Sequence, residues 1–180
     1  MTNAGLSNAL ADKKLPKISN LDVSIDNGKY VAKVRLYLPH DFDERKKYPM
    51  VVNVYAGPNS QQVNDRFKLD WGTYLTTSEQ IIYATIDGRG SGYRGDDLLF
   101  EIYYNIGGPE VQDQIEVTKK LLSLYNFIDQ DKVGIWGWSY GGFVTLSVLA
   151  EDRQNIFKCG IAVAPVTNWI YYDTIYTERY

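Results

Sequence analysis

Gly137-Trp138-Ser139-Tyr140-Gly141 spells G-x-S-x-G, and it lies between an apolar run, Lys132–Trp136, and a segment that begins with Gly141-Gly142. A serine hydroxyl is a weak nucleophile unless a base can reach it from an open side, and a sharp strand-to-helix turn gives that access. Glycines two places before and after the serine let backbones pass closely in such a turn. The helix that follows aims free N–H groups and the positive end of its dipole at a developing oxyanion. The chemistry this pattern supports is acyl transfer, with Ser139 as nucleophile and the Tyr140 N–H as one oxyanion donor. The plain alternative is an ordinary serine in a glycine-rich loop, and the flanking strand and helix patterns argue against it.

A second oxyanion donor is expected from the loop after the third strand, where Tyr55-Ala56-Gly57-Pro58 directly follows Pro49–Val54. Either the Tyr55 phenol or a nearby backbone N–H could serve, and the alternative is that Tyr55 packs while Gly57-Pro58 makes a turn. Gly90-Ser91-Gly92-Tyr93-Arg94-Gly95 matches G-x-G-x-x-G after a strand, but Asp96-Asp97 and then Gly107-Gly108-Pro109 interrupt the layout of a dinucleotide fingerprint. It reads as a tight loop beside the site. The only histidine is His40, far upstream of Ser139, and in the order nucleophile, acid, histidine it is a surface loop residue. No histidine follows Ser139. Of the later acids, Glu151 and Asp152 close a helix, while Asp173 and Glu178 sit in an aromatic segment.

The elements that must position these residues follow from periodicity. Residues 1–20 read as a lead-in segment with a short helix at Leu6–Ala11. Leu21–Ile25 and Tyr30–Leu38 flank Asp26-Asn27-Gly28, a hairpin signal, and should pair antiparallel. Pro49–Tyr55 and Ile81–Asp87 are short apolar runs suited to strands covered on both faces. From Pro109, Val111, Ile115, Leu122 and Tyr125 recur at helical spacing, with Glu110 and Asp113 read as acids of the first turn. Lys132–Trp136 reads as a strand, Gly141–Ala150 as a helix and Cys159–Val163 as a further buried strand. Alternating strands and helices over this half predict an α/β fold, a mainly parallel sheet with helices on both faces. Six strands where an α/β-hydrolase fold has about eight, and an end at Tyr180 without a cap, lead us to expect an incomplete domain. Its last exposed strand would be an edge prone to aggregation.

The chain has 180 residues, enough for one sizeable core, with 44% hydrophobic and 23% charged residues. A net charge of −3 without a basic cluster longer than Arg45-Lys46-Lys47 argues against nucleic acid or an anionic membrane as partner. Neither a membrane span nor a secretory leader is predicted. One cysteine, Cys159, can form neither an internal disulfide nor a zinc cluster, and no metal or cofactor site is expected. Aromatic residues reach 14%, and Trp169, Tyr171, Tyr172, Tyr176 and Tyr180 crowd the end of the chain, suggesting either core packing or an aromatic-lined pocket.

Tyr55-Ala56-Gly57-Pro58, Asp87-Gly88-Arg89-Gly90-Ser91-Gly92-Tyr93, Trp136 through Gly142, Cys159 through Val166, and Tyr171-Tyr172-Asp173 with Tyr176 through Tyr180 resemble the dipeptidyl peptidase 4 branch of the prolyl oligopeptidase family. The resemblance runs from about Leu15 to Tyr180. Members of that branch join a β-propeller to an α/β-hydrolase domain and release N-terminal dipeptides with proline or alanine in second place. The resemblance implies that residues 21–180 are the N-terminal part of such a catalytic domain. By resemblance, Ser139 is the nucleophile, the Tyr55 hydroxyl and Tyr140 N–H form the oxyanion hole, and Tyr140, Val166, Trp169, Tyr172 and Tyr176 line the pocket for proline. Flat aromatic walls suit a rigid pyrrolidine ring and exclude larger side chains. The family's acid and histidine, and the propeller glutamates that hold the substrate amine, fall outside these residues. The resemblance further implies that Cys159 pairs with a cysteine near the end of the whole protein. It also implies a homodimer and an extracellular place, secreted or membrane-anchored. Two other readings remain: an inactive binding or regulatory homologue, since no base is present, and an esterase or lipase of the same fold.

Overall fold

The structure, a computed structural model, describes residues 3–180. The lead-in reading therefore starts at two residues, Met1 and Thr2, that lie outside the described residues. Helix α1 (Ala4–Leu10) buries none of its side chains and is followed by strand β1 (Lys17–Ile25), which begins four residues before the predicted start at Leu21. Lys17–Asn20 has a single apolar residue, Ile18, and the strand is carried outwards by pairing with β2 from Asn20↔Arg35 to Lys17↔Leu38. Strand β2 (Tyr30–Leu38) pairs with β1 antiparallel from Ile25↔Tyr30 to Lys17↔Leu38. Asp26, Asn27 and Gly28 all take positive φ in the turn between them, which is why that turn needs its Asn-Gly step.

Strands β3 (Tyr48–Val54), β4 (Ile82–Asp87), β5 (Ile128–Trp138) and β6 (Cys159–Val163) complete one sheet of order β1-β2-β4-β3-β5-β6. β3 is parallel to both β4 and β5, and β5 is parallel to β6, while β2 meets β4 antiparallel. The fold is the α/β-hydrolase class, mainly parallel, with helices on both faces. Helices α4 (Pro109–Leu124) and α5 (Tyr140–Glu151) bring Val111, Val117, Leu121, Val144 and Val148 onto the face formed by Met50, Val52 and Val54, all buried. Each such side chain taken from water contributes roughly 1.5–3 kcal/mol. Helix α2 (Trp71–Ser78), capped by Asp70, covers the other face, where Trp71 meets the rings of Tyr83 and Trp136 edge-on. Short helices α3 (Asp96–Leu99) and α6 (Thr174–Arg179) punctuate the loops.

Two sequence expectations are corrected. β6 is not a buried strand: Cys159, Gly160 and Ile161 are exposed, because β6 has β5 as its single neighbour and only α5 against one face. Nor do Glu110 and Asp113 both lie in the first turn of α4: only Glu110 does, and both are buried. Asp113 takes three contacts from the Arg89 side chain, at 2.6 Å from one guanidinium nitrogen and at 3.0 and 3.1 Å from Nε to its two oxygens, and another at 2.7 Å from the Arg89 N–H. A buried carboxylate needs that many donors to compensate its lost water.

Candidate active site

The chain passes from β3 to β4 on one side and then returns to β5 on the other, so the loops leaving β3 and β5 diverge at their carboxyl ends. A crevice at such a switch point is where α/β sheets bind ligands. Val54 pairs with Gly137, which places Tyr55 and Ser139 just past adjacent strand ends. Ser139 is half-buried, at φ 57° and ψ −117°, in the turn between β5 and α5. That left-handed conformation lifts the serine out of the strand before the helix begins. A Cβ on Gly141 would overlap the Val54 carbonyl oxygen, so only glycine lets α5 start this close to β3.

The Ser139 N–H donates to the Val163 carbonyl (2.9 Å), which ties the turn to the end of β6. The first bond within α5 runs from the Phe143 N–H to the Ser139 carbonyl (3.1 Å), leaving the N–H groups of Tyr140, Gly141 and Gly142 ahead of the helical ladder. These are the donors a developing oxyanion beside Ser139 would use.

Tyr55 is 37% exposed, and its N–H donates to Gln62 Oε1 at 3.1 Å. Gln62 and Val63 in turn donate their N–H groups to the buried Asp87 carboxylate at 2.7–3.0 Å. Burial pushes the Asp87 carboxyl up, and those two N–H groups pull it back. Gly57 allows the Tyr55 ring to fold back, since a Cβ there would stand 2.7 Å from it. The glycine-rich loop at 90–95 buttresses the same segment: the Asn59 N–H donates to Gly90 and the Gly92 N–H to Ser60. It is a loop support and presents no helix of dinucleotide-binding length, α3 having four residues.

The aromatic residues form one cluster around Tyr140, which is 2% exposed. Its ring lies 6.3 Å from Tyr55, 5.6 Å from Trp169, 6.1 Å from Tyr176 and 5.5 Å from Phe143, centroid to centroid. Trp169 stacks on Tyr176 at 5.6 Å and meets Tyr172 edge-on at 5.4 Å. Asp173 caps α6 by accepting from the Tyr176 N–H (3.1 Å), so this acid within the aromatic segment is occupied in turning the chain. Val166 is half-buried between β6 and Trp169 and has no share in these ring contacts. Burial, followed by the neighbouring Glu110 carboxylate, pushes the Tyr140 phenol far above its ordinary value, and burial raises Tyr176 as well.

His40 is exposed at the opposite end of the sheet. Tyr37 on β2 is level with Tyr83, Val51 and Gly134, so at ~3.3 Å per residue His40 and Ser139 stand roughly 25 Å apart along the strands. Sequence reasoning missed Glu110, Gln62 and Asp87 as supports of the site. Their partners are fixed by loop geometry, and only the Asp-Gly-Arg step after β4 hinted at a special role for Asp87.

A sequence profile of the prolyl oligopeptidase family matches residues 67–180. Venom dipeptidyl peptidase 4 of Vespa velutina is 54% identical over 178 residues, and dipeptidyl peptidase 4 of Sus scrofa is 49% identical over 179, each alignment covering 99% of this chain. The prolyl endopeptidase FAP of Homo sapiens is 43% identical over the same share. The chain spans 23% of the length of each of these relatives. The crystal structure of Porphyromonas gingivalis dipeptidyl peptidase 4 superposes with a TM-score of 0.89 at 37% identity, covering 99% of this chain and 25% of that one.

Proposed function

This chain belongs to the prolyl oligopeptidase family, and from that premise we propose that residues 21–180 are the N-terminal part of the catalytic domain of a serine-type dipeptidyl peptidase. The observation that carries the reading is Ser139 at positive φ between β5 and α5, beside Tyr55 and the free N–H groups of α5. The Ser139 hydroxyl attacks the carbonyl carbon of the second residue of a peptide, passing its proton to a histidine supplied by the rest of the protein. Charge that develops on the carbonyl oxygen is taken by the Tyr140 N–H and the Tyr55 hydroxyl. The amine leaves with the proton, and water then releases the dipeptide from the acyl-enzyme.

Tyr140, Val166, Trp169, Tyr172 and Tyr176 form the pocket for proline or alanine in second place, a reading supported by the ring cluster around Tyr140. No helix of the described residues is long and apolar enough to cross a membrane. We extend the proposal to an extracellular protein, secreted or membrane-anchored, for which the venom relatives' name is the support, and to a homodimer. The deciding experiment uses the full-length protein: it should cleave a Gly-Pro anilide and react at Ser139 with a fluorophosphonate, and Ser139→Ala should abolish both. Residual cleavage by Ser139→Ala at the wild-type rate would overturn the assignment. Intact folding with neither reaction in the wild type would favour the inactive homologue, which the distance of His40 from Ser139 makes the reading to exclude.

A further inference from the structure

Tyr140 carries two duties in this site: its N–H faces the oxyanion position and its ring is the hub of the aromatic wall. A ring with a free hydroxyl at the centre of a cluster would have several ways to pack. Here the hydroxyl is held: Tyr140 Oη donates to Glu110 Oε1 at 2.7 Å, from the first turn of α4, thirty positions away in sequence. The same oxygen accepts the Gly107 N–H at 2.5 Å. Gly107 lies against Phe143, whose ring packs on both Tyr140 and Trp169. One carboxyl oxygen thus joins the loop before α4 to the start of α5 and, through Phe143, to the wall of the pocket.

Glu110 is 1% exposed, and its second oxygen, Oε2, is buried without a hydrogen-bond partner among the described residues. Desolvation of such an oxygen is costly, and an apolar side chain of similar shape would fill the space at less cost. The arrangement makes sense if holding the Tyr140 hydroxyl matters more than the stability lost. Among the described residues no lysine or arginine forms an ion pair with Glu110, so the carboxyl serves Tyr140 and Gly107 rather than a surface network.

We propose that Glu110 is a positioning residue which fixes the Tyr140 ring through its hydroxyl, and so sets the fit of the proline pocket beside Ser139. This rests on the dipeptidyl peptidase reading above. It assigns to Glu110 an effect on how tightly and how selectively the second residue of the substrate is held, with the chemical step left to Ser139 and its partners.

The test is a double-mutant cycle in the full-length protein, reading kcat and KM separately for Gly-Pro and Gly-Ala anilides. Tyr140→Phe removes the donor and keeps the ring; it should raise KM for Gly-Pro by roughly three- to tenfold, as expected for one hydrogen bond, and narrow the preference for proline over alanine. Glu110→Ala should do the same, and the double variant should be no worse than either single one. Glu110→Gln, which retains an acceptor oxygen, should restore most of the KM. Additive effects in the cycle, or a Glu110→Ala protein that folds with unchanged KM and selectivity, would overturn the inference while leaving the peptidase assignment intact. If Glu110→Ala fails to fold, Tyr140→Phe decides alone, since an unchanged KM and selectivity there exclude the role. A wild type that cleaves neither anilide overturns both.

Discussion

Ser139 holds a conformation, φ 57° and ψ −117°, that glycine adopts freely and a residue with a Cβ does not. Such a residue costs roughly 1–3 kcal/mol, which the rest of the fold must offset. Replacing Ser139 by glycine should therefore stabilise the protein by about 1 kcal/mol, while Ser139→Ala, which keeps the Cβ, should leave stability nearly unchanged; neither should retain activity. Urea unfolding of the three proteins measures this, and a less stable Ser139→Gly would show that the turn is not strained. The same backbone demand explains why this residue could be read in the sequence: a turn that tolerates only glycine on both sides leaves Gly137 and Gly141 as its mark. Tyr55 left a similar mark in Gly57. Glu110 left none, because its value lies in a hydroxyl thirty residues away and its place at a helix start looked like an ordinary dipole effect.

At the level of elements, α5 sits where it does because Gly141 lets its first turn touch the end of β3. Gly141→Ala would drive a Cβ into the Val54 carbonyl, a backbone atom that cannot swing aside, and should cost at least ~2 kcal/mol. The loss should appear as a lower urea midpoint at unchanged slope, with fluorophosphonate labelling of Ser139 slowed in the protein that still folds. A variant as stable and as reactive as wild type would mean that the strand and helix are less closely joined. Helices α4 and α5, and all six strands, were legible in kind because apolar periodicity follows directly from which face is buried; for β6 it was the burial that differed. β6 was misjudged for a physical reason. Its run Cys159-Gly-Ile-Ala-Val has the composition of a buried strand, but burial depends on how many neighbours a strand has, and β6 has one. β5 likewise extends back to Ile128, which pairs with Tyr48 on β3 across a register shift that takes up polar Asp129–Lys132, an irregularity no local pattern displays.

Across the whole molecule, buried and surface carboxyls pull stability in opposite directions with pH. Asp43, at the surface, is held down to about 2, first by the Arg45 side chain and then by the Arg45 N–H. Its contribution is present above the ordinary carboxylate value and is lost as pH falls towards 2; since the pair is exposed, that acid limb is shallow. Glu110 is the reverse case, because burial pushes its carboxyl up despite the Gly107 and Tyr140 donors. The native state then keeps a proton that the unfolded chain has released, so the native state binds more protons over that window. Its contribution is complete below about pH 4, where an unfolded glutamate is protonated, and fades as pH rises through the elevated native value. The urea midpoint of the wild type should accordingly be lower at a pH above the elevated native value than at one near the ordinary carboxylate range, and Glu110→Gln, which cannot titrate, should flatten that fall. Asp43→Asn should alter only the acid limb. If Glu110→Gln leaves the slope between the two pH values unchanged, Glu110 is ionised throughout, and the bare Oε2 is then a buried charge held by Tyr140 and Gly107 alone.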